Sequence, residues 1–286
     1  MKISLFKKIP RPSESPSTDK RPDVNHVIQV SKKHTEREVI QIHLEDQAHS
    51  IFASKFGGRP YLPRTLEVPV NQNGQQLRLL AQIRMDELPP SRIGLSLTGL
   101  LQFWVLDDDT TGLDFEYSLE ADDYRILYYP TIDESVTSTE IDYKYHPYCE
   151  NKSYFPIQDE FGLHFTLEKE SMSYCDFQFV QTFVKVWNQE YPDFPISNLD
   201  SLDEEMISEQ FCMGGHKIGG YPLFTQWDPR EGKNEDHKIL LLQIDTDQFN
   251  GKEIIWGDSG VANFFITTHD LETLNFSRVL YNWDCY

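Results

Sequence analysis

Four short blocks occur twice in this chain, in the same order and at nearly the same spacing. The paired blocks are Lys55–Pro60 with Lys217–Pro222, Leu80–Ile83 with Leu241–Ile244, Gly99–Phe103 with Gly260–Phe264, and Arg125–Tyr128 with Arg278–Tyr281. The Gly-Gly pair and the glutamine of the next block are 25 residues apart in the first copy and 24 in the second. We therefore predict an internally duplicated domain, in which two homologous halves pack about a pseudo-twofold axis.

The repeated blocks are apolar and lack the spacing of an amphipathic helix. Leu77–Ile83, Leu100–Leu106 and Tyr124–Tyr129 are apolar runs between turn residues, which is typical of strands that are buried on both faces. Val27–Val30 and Val39–Leu44 are also interpreted as short β-type runs. These runs predict an α+β fold that is rich in β-structure.

The repeats also define the organisation of the chain. The predicted parts are a basic, Pro/Ser-rich disordered tail at 1–24 and a single domain at 25–286, which contains repeat 1 at about 53–130, a helical insertion at 131–213 and repeat 2 at about 216–286. Within the insertion, Ser173–Glu190 is predicted to be a helix. Ser201 and Glu204 form a capping-box pattern, which predicts a second helix that continues to about Met213.

Charge and cysteine usage restrict the partners and the compartment. The formal net charge is −20, from 46 acidic and 26 basic residues. Such a surface repels phosphate backbones and anionic lipids, so we expect neither nucleic-acid nor membrane binding, whereas a basic protein partner or cations would be attracted. The four cysteines form no Cys-x-x-Cys pair, and the amino terminus is too short in apolar length for a signal peptide. We therefore expect a cytoplasmic protein.

Several glycine-rich motifs are interpreted as turns and not as catalytic loops. The predicted turn residues are Gly57, Gly58, Pro60, Gly219, Gly220, Pro222, Asp258, Ser259 and Gly260. The Gly257–Gly260 segment matches the sequence around the nucleophile of chymotrypsin-like proteases, but no histidine stands in the accompanying context. Asp258-Ser259-Gly260 aligns with Leu97-Thr98-Gly99 of the other repeat, so this position is interpreted as the turn that enters a strand in both halves. Neither a P-loop nor a Rossmann glycine pattern occurs.

An acidic segment between two predicted strands resembles the front of a calcium loop. Asp107, Asp109 and Asp114 are the candidate ligands, and Gly112 stands at the turn position. However, the twelfth position is Ser118 instead of glutamate. No cofactor is predicted from this pattern. The alternatives are a divalent-cation site, such as calcium, and a solvated acidic turn.

Amide side chains recur within the apolar strand blocks. They are Gln82 and Gln102 in the first copy and Gln243 and Asn263 in the second. A buried amide must find hydrogen-bond partners, so these side chains either bridge backbone groups, face solvent, or line a groove between the halves. We favour the first two alternatives, in which the amides have a structural role, over the groove. Arg125 and Arg278 are candidates for the same groove or interface, or for ion pairs with nearby acidic residues.

These motifs together resemble the YwqG family of bacterial proteins. The resemblance rests on the repeated blocks and on two longer runs, Trp256–Ile266 and Phe276–Cys285, and it covers about residues 50–286. It implies a β-rich, internally duplicated domain of unknown function, with no established catalytic residues. Some members lie near polymorphic-toxin genes, which implies an immunity or toxin-accessory role.

The sequence supports two main hypotheses of different classes, besides a purely structural subunit of a larger assembly, and whether the chain is an enzyme stays open. The favoured one is a non-enzymatic protein-interaction module that binds a basic partner through an acidic face. The alternative is a small-molecule or metal-binding protein whose site lies in the groove between the two repeats.

Overall fold

The fold is built mainly from antiparallel β-structure, to which a few short helices are added. The computed structural model describes residues 22–95, 98–117, 119, 122–149 and 154–286. Its helices are α1 Val24–Thr35, α2 Ser138–Lys144, α3 Phe179–Glu190, α4 Glu204–Glu209 and α5 Thr268–Glu272. Its strands are β1 Arg37–Glu45, β2 Lys55–Phe56, β3 Arg78–Arg84, β4 Leu100–Val105, β5 Tyr124–Tyr129, β6 Phe161–Glu170, β7 Lys217–Gly219, β8 Ile239–Asp245, β9 Asp247–Phe249, β10 Lys252–Ile254, β11 Val261–Ile266 and β12 Leu280–Asp284.

Ten of these strands form one large antiparallel sheet. Its order is β12-β11-β8-β7-β1-β6-β2-β3-β4-β5, with the long β1–β6 pair at the centre. We name β2–β5 the first arm of the sheet, and β7, β8, β11 and β12 the second arm. The two remaining strands, β9 and β10, pair as a hairpin that follows β8.

The two arms curl towards each other, so that the sheet nearly closes. The rings of Phe103 in β4 and Phe264 in β11 meet edge to face, with centroids 4.9 Å apart. At the two ends of the sheet, Tyr124 in β5 donates a hydrogen bond of 2.8 Å to the main-chain oxygen of Val279, just before β12. The main apolar core fills the space between the arms, because the inward side chains of both arms are buried there.

The strands of the first arm lie where the apolar blocks predict them. Observed β3, β4 and β5 agree with the predicted runs to within one residue at each end. All six residues of β4 are buried, and so are all six of β11. This burial on both faces explains why the sequence shows continuous apolar blocks instead of an alternating pattern.

The interpretation of Val27–Val30 as a β-type run is wrong, because this segment belongs to α1. The buried residues of α1 are Val27, Ile28, Ser31 and Thr35, a spacing that follows one face of a helix. Asp23 caps the helix by accepting a hydrogen bond from the main-chain nitrogen of Asn25. A window of four residues is too short to reveal this period. Residues 1–21 of the predicted tail lie outside the described residues.

The predicted helical insertion also supplies a central strand. Besides α2, α3 and α4, the segment 131–213 contains β6, which pairs with all nine residues of β1. Alternating Phe161, Leu163, Phe165 and Leu167 carry the period of a strand. The segment therefore builds the middle of the sheet and does not merely cover it.

Two predicted helix starts within this segment lie too far towards the amino terminus. Helix α3 begins at Phe179 and not near Ser173, because Ser173 and Asp176 bind nearby main-chain nitrogens in turns. Helix α4 begins after Asp203, whose side chain accepts a hydrogen bond of 3.1 Å from the main-chain nitrogen of Met206. It ends at Glu209, four residues before the predicted end.

Candidate binding site

An acidic loop between β4 and β5 lies against the last strand of the second arm. Two main-chain oxygens of this loop are fixed by side chains of β12: Trp283 Nε1 donates to Thr110 at 2.6 Å, and Tyr281 Oη donates to Thr111 at 3.0 Å. Asp107 is fully buried and pairs with Arg78 at 2.7 Å. These contacts hold Asp109, at the exposed tip of the loop, in a defined position.

On one side of Asp109 lies a cleft of about 690 Å³, which we name the Trp256 cleft. Its residues come from the acidic loop, from residues 154–159, from the β10 region and from β12; they are Asp109, Thr111, Tyr154, Phe155, Pro156, Gln158, Asp159, Gly251, Lys252, Glu253, Ile255, Trp256, Gly257 and Trp283. The indole nitrogen of Trp256 is buried and has no hydrogen-bond partner among the described residues. A donor of this kind is suited to a ligand acceptor.

On the other side of Asp109 lies a smaller cleft of about 230 Å³, which we name the Trp227 cleft. Four aromatic side chains and two carboxylates contribute to it, and its residues are Asp109, Thr110, Leu113, Phe115, Tyr117, Gln226, Trp227, Asn282, Trp283, Asp284 and Cys285. Asp109 and Trp283 line both clefts. The two clefts are therefore neighbouring parts of one surface.

This surface exposes large apolar side chains. Phe115 is 71% exposed, Trp227 59%, Tyr154 49% and Ile255 40%. Exposed apolar side chains that are grouped and surrounded by polar residues are typical of binding surfaces, whereas isolated ones are common anywhere. We therefore regard the Trp256 and Trp227 clefts together as the candidate site.

The charges of the site are mostly negative. Asp109, Asp159 and Glu253 are exposed carboxylates, while the ammonium of Lys252 is directed to the main-chain oxygens of Asp46 and Glu160. Burial raises the pKa of Asp284, although its carboxylate accepts hydrogen bonds from two main-chain nitrogens, those of Thr225 and Gln226. Carboxylates beside aromatic faces form a site that favours cations.

The candidate calcium ligands have three different surroundings. Asp107 forms an ion pair with Arg78, and Asp109 is exposed between the clefts. Asp114 accepts a hydrogen bond from the main-chain nitrogen of Glu116. Within the described part of the chain, no three His, Cys, Asp or Glu side chains are grouped so that they could hold a metal ion. Ser118 lies outside that part. A calcium site stays a prediction of the sequence alone.

The amide side chains of the first arm are fully buried and bind backbone groups. Gln82 accepts from the main-chain nitrogen of Tyr61 at 2.9 Å and from Gln102 Nε2 at 2.8 Å, and it donates to the main-chain oxygens of Ile51 and Ala53. Gln102 also donates to the main-chain oxygen of Tyr61. The two amides thus attach the segment before β3 to the sheet.

The amides of the second arm make the corresponding contacts. Gln243 accepts from the main-chain nitrogen of Leu223 at 2.8 Å and donates to the main-chain oxygen of Gly215 at 2.8 Å. Asn263 donates to the main-chain oxygen of Leu223 at 2.8 Å. None of the four amides lines the Trp256 or the Trp227 cleft.

The two candidate arginines do not lie in the clefts either. Arg125 lies within β5 and pairs with Asp122. Arg278 lies before β12, in a short 3₁₀ helix, and its main-chain oxygen accepts a hydrogen bond from His237. Arg125 and Arg278 therefore occupy different positions relative to their strands, so the predicted correspondence of the fourth block is not kept.

The paired glycines form turns beside which a buried lysine makes an ion pair. Gly57, Gly58, Gly219 and Gly220 all have a positive φ. Beside the first turn Lys55 lies 3.4 Å from Glu160, and beside the second Lys217 lies 3.0 Å from Glu170. A Cβ at Gly220 would overlap the Glu170 carboxylate, so this turn requires glycine. Pro60 and Pro222 follow the respective turns, and Asp258, Ser259 and Gly260 precede β11.

A comparison with models of protein families identifies the family of the chain. The model described as "Domain of unknown function (DUF1963)" matches residues 54–285, which include both arms and both clefts. The chain belongs to the DUF1963 family. No curated protein matches it. Every helix of this DUF1963 protein, as far as the structure describes it, is too short or too polar to cross a lipid bilayer.

The sequence contained one signal for the clefts of this DUF1963 domain that our reasoning missed. Three of the five tryptophans, Trp227, Trp256 and Trp283, line the two clefts. They lie in separate segments, so only the fold brings them together. Tryptophan is enriched at binding hot spots, and a search for tryptophans outside the strand cores could have identified two of the three.

Proposed function

We propose that this DUF1963 protein is a non-enzymatic interaction module that binds a basic, extended segment of a partner protein along the Trp227 and Trp256 clefts. The observation that carries the proposal is the position of Asp109. This exposed carboxylate lies between two neighbouring clefts, each of which is lined by aromatic side chains.

Cationic side chains suit this surface for two reasons. The faces of Trp227, Phe115 and Trp283 attract lysine and arginine head groups through cation–π interactions, while Asp109 and Glu253 supply opposite charges. The net charge of −20 adds a long-range attraction, which increases the rate of encounter with a basic partner.

An extended segment fits better than a small cation. The Trp256 and Trp227 clefts share Asp109 and Trp283, so one peptide that crosses the acidic loop would place side chains in both. The apolar side chains Tyr154 and Ile255 would cover the apolar residues of the same segment. Binding of this kind also suits an immunity or accessory protein of a bacterial toxin, the role implied by the resemblance to the YwqG family.

The proposal is tested by calorimetric titration with an arginine-rich peptide. A peptide of the same length with glutamate at each arginine position serves as the negative probe. We expect Asp109→Lys to weaken binding of the basic peptide about tenfold or more. Trp227→Ala, which removes a central aromatic side chain, should cost about 2 kcal/mol of binding free energy.

Two matched variants control for general charge and for loss of any exposed ring. Asp193→Lys makes the same charge reversal at an exposed position after α3, and Tyr143→Ala removes a ring that is 84% exposed on α2. Both controls should bind like the unaltered protein. Equal losses in the Asp109 and Asp193 variants would show that net charge alone explains the attraction, and the proposal would be rejected.

A second candidate function is supported by the buried Trp256 indole. The Trp256 cleft, at about 690 Å³, lies within the size range of small-molecule sites, and the unsatisfied indole N–H would donate to a ligand acceptor. A saturable rise in melting temperature in a metabolite panel, lost in Trp256→Phe, would support this function. A panel without any such shift would leave the peptide site as the better account.

We also propose that the sheet consists of two homologous halves related by a pseudo-twofold axis through the β1–β6 pair. The strand order of the two arms supports this, because β2-β3-β4-β5 on one side corresponds to β7-β8-β11-β12 on the other. The similar contacts of Gln82 and Gln243 support it as well. On this proposal both clefts lie where the last strand of one half meets a loop of the other.

A further inference from the structure

A further pocket, which shares no lining residue with the two clefts, is rich in basic side chains. It has a volume of about 340 Å³ and lies where β1, β7 and the start of β8 meet. Arg37, Arg92, Lys169 and Lys238 contribute to its lining, against Glu36 and Glu38. In a chain with a net charge of −20, a pocket with more basic than acidic groups is unusual and calls for a physical explanation.

The guanidinium of Arg37 is held in place, but among the described residues it has no carboxylate within ion-pair distance. It stacks on the ring of Tyr221, with 3.2 Å between the guanidinium carbon and the ring centroid. Tyr221 is itself fixed, because its hydroxyl donates to the main-chain oxygen of Thr35 at 2.8 Å. The Nε of Arg37 is buried and finds no hydrogen-bond partner among the described residues.

The nearby carboxylates are bound to other groups. Glu170, opposite Arg37 in the sheet, accepts from Lys217 with both oxygens, at 3.2 and 3.0 Å. Asp176 pairs with Arg230 at 2.9 Å. Burial lowers the pKa of Arg37, and the neighbouring charges offset this only in part.

The acidic residues at the rim of the pocket also bind other groups. Glu36 pairs with Lys169 at 2.7 Å, and Glu38 accepts from the main-chain nitrogen of Arg92 at 2.6 Å. For Lys238, the described residues offer no ion-pair partner within 4.0 Å. Arg37 and Lys238 are therefore two cations that line one pocket and have no ion-pair partner within 4.0 Å among the described residues.

We propose that this pocket binds a small organic anion, with its carboxylate or phosphate group between Arg37 and Lys238. The planar guanidinium presents paired donors that match two oxygens of such a group. Ile93, Ile239 and Leu240 supply an apolar wall for a short hydrocarbon part. The volume is at the lower end of the range for small-molecule sites, so the ligand is small.

The test uses ¹⁵N NMR of the full chain, titrated with sodium butyrate or with inorganic phosphate against sodium chloride at equal ionic strength. We expect a saturable shift of the Arg37 Nε–H signal and of the Gly219 and Gly220 amides. Preference for butyrate would identify a carboxylate site, and preference for phosphate a phosphate site. Butylamine, which has a similar apolar part but the opposite charge, should cause no saturable shift.

Two variants keep the proposal falsifiable even if one of them folds poorly. Arg37→Lys retains the charge but loses the paired donors, and exposed Lys238→Gln removes the second cation without disturbing the core. Both should weaken anion binding several-fold, while Lys33→Gln, on the exposed face of α1, should not. No saturable shift with either anion, or equal affinity in the Lys238 and Lys33 variants, would overturn the proposal.

Discussion

The indole nitrogen of Trp283 donates a hydrogen bond of 2.6 Å to the main-chain oxygen of Thr110. This bond joins the last strand of the second arm to the acidic loop of the first arm. It lies between the two clefts, because Thr110 belongs to the wall of one cleft and Trp283 to both. The position of Asp109 therefore depends on how the two ends of the sheet meet.

Trp283→Phe should loosen the acidic loop while keeping an aromatic ring in the clefts. The variant leaves the Thr110 oxygen without its donor, so we expect a loss of about 1 kcal/mol in the free energy of unfolding. Hydrogen exchange should become faster in residues 108–112. Trp227→Phe changes a ring that is 59% exposed and keeps it aromatic, so this variant should leave both measurements unchanged.

Gln82→Leu should destabilise the fold more than Gln243→Leu. Both side chains are fully buried, but Gln82 makes hydrogen bonds to four partners and Gln243 to two. Each buried group that loses its partner costs about 1–3 kcal/mol. Urea unfolding measures the difference. If exposed Gln248→Leu cost as much as Gln82→Leu, the buried network would have no special role.

Lys217→Met should be among the most destabilising single changes outside the apolar core. The side chains of Lys217 and Glu170 are 0% and 4% exposed, so the change leaves a buried carboxylate without its cation, at about 3–5 kcal/mol. The double variant Lys217→Met/Glu170→Gln should recover part of this loss. If the double variant lost as much free energy of unfolding as the two single variants together, a direct coupling between Lys217 and Glu170 would be contradicted.

Glu140 should stabilise the folded protein in a way that is lost at strongly acidic pH. Its carboxylate binds Arg64 and the main-chain nitrogen of Thr137, which lowers the pKa of Glu140 from its usual 4.5 to about 2. Because the pKa is lower in the folded state, the ionised group stabilises the fold above about pH 4.5, and this contribution is lost as the pH falls towards 2. An NMR titration should show the low pKa, and Arg64→Gln should raise it.

The sequence predicts the arms of the sheet and the central strand β1 better than it predicts β6 or the clefts. Strands β3, β4 and β5 are largely apolar runs between turn residues. The local sequence and the tertiary contacts therefore both favour a strand at these positions. Helix α1 could not be recognised from four residues, since its buried face becomes visible only over three turns. Strand β6 has an alternating pattern but lies between helices, and for that reason we did not recognise it.

The clefts could not be predicted because their residues are far apart in the chain. Asp109, Trp227 and Trp283 come together only when β5 and β12 approach each other as the sheet curls. By contrast, the buried Lys55 and Lys217 stood in the repeated blocks, and a lysine that recurs before two glycine turns was a signal for an ion pair. The carboxylates of those pairs, Glu160 and Glu170, had no sequence signal of their own.

The most direct test of the proposed peptide site follows the indole N–H signals in a ¹⁵N spectrum during titration with the arginine-rich peptide. The five tryptophans include internal controls, since Trp104 and Trp187 donate to Gln102 and to the main-chain oxygen of Phe194, away from the clefts. We predict saturable shifts for Trp227, Trp256 and Trp283, with Trp104 and Trp187 unchanged. Saturable binding that leaves the three cleft indoles unshifted would contradict the proposal.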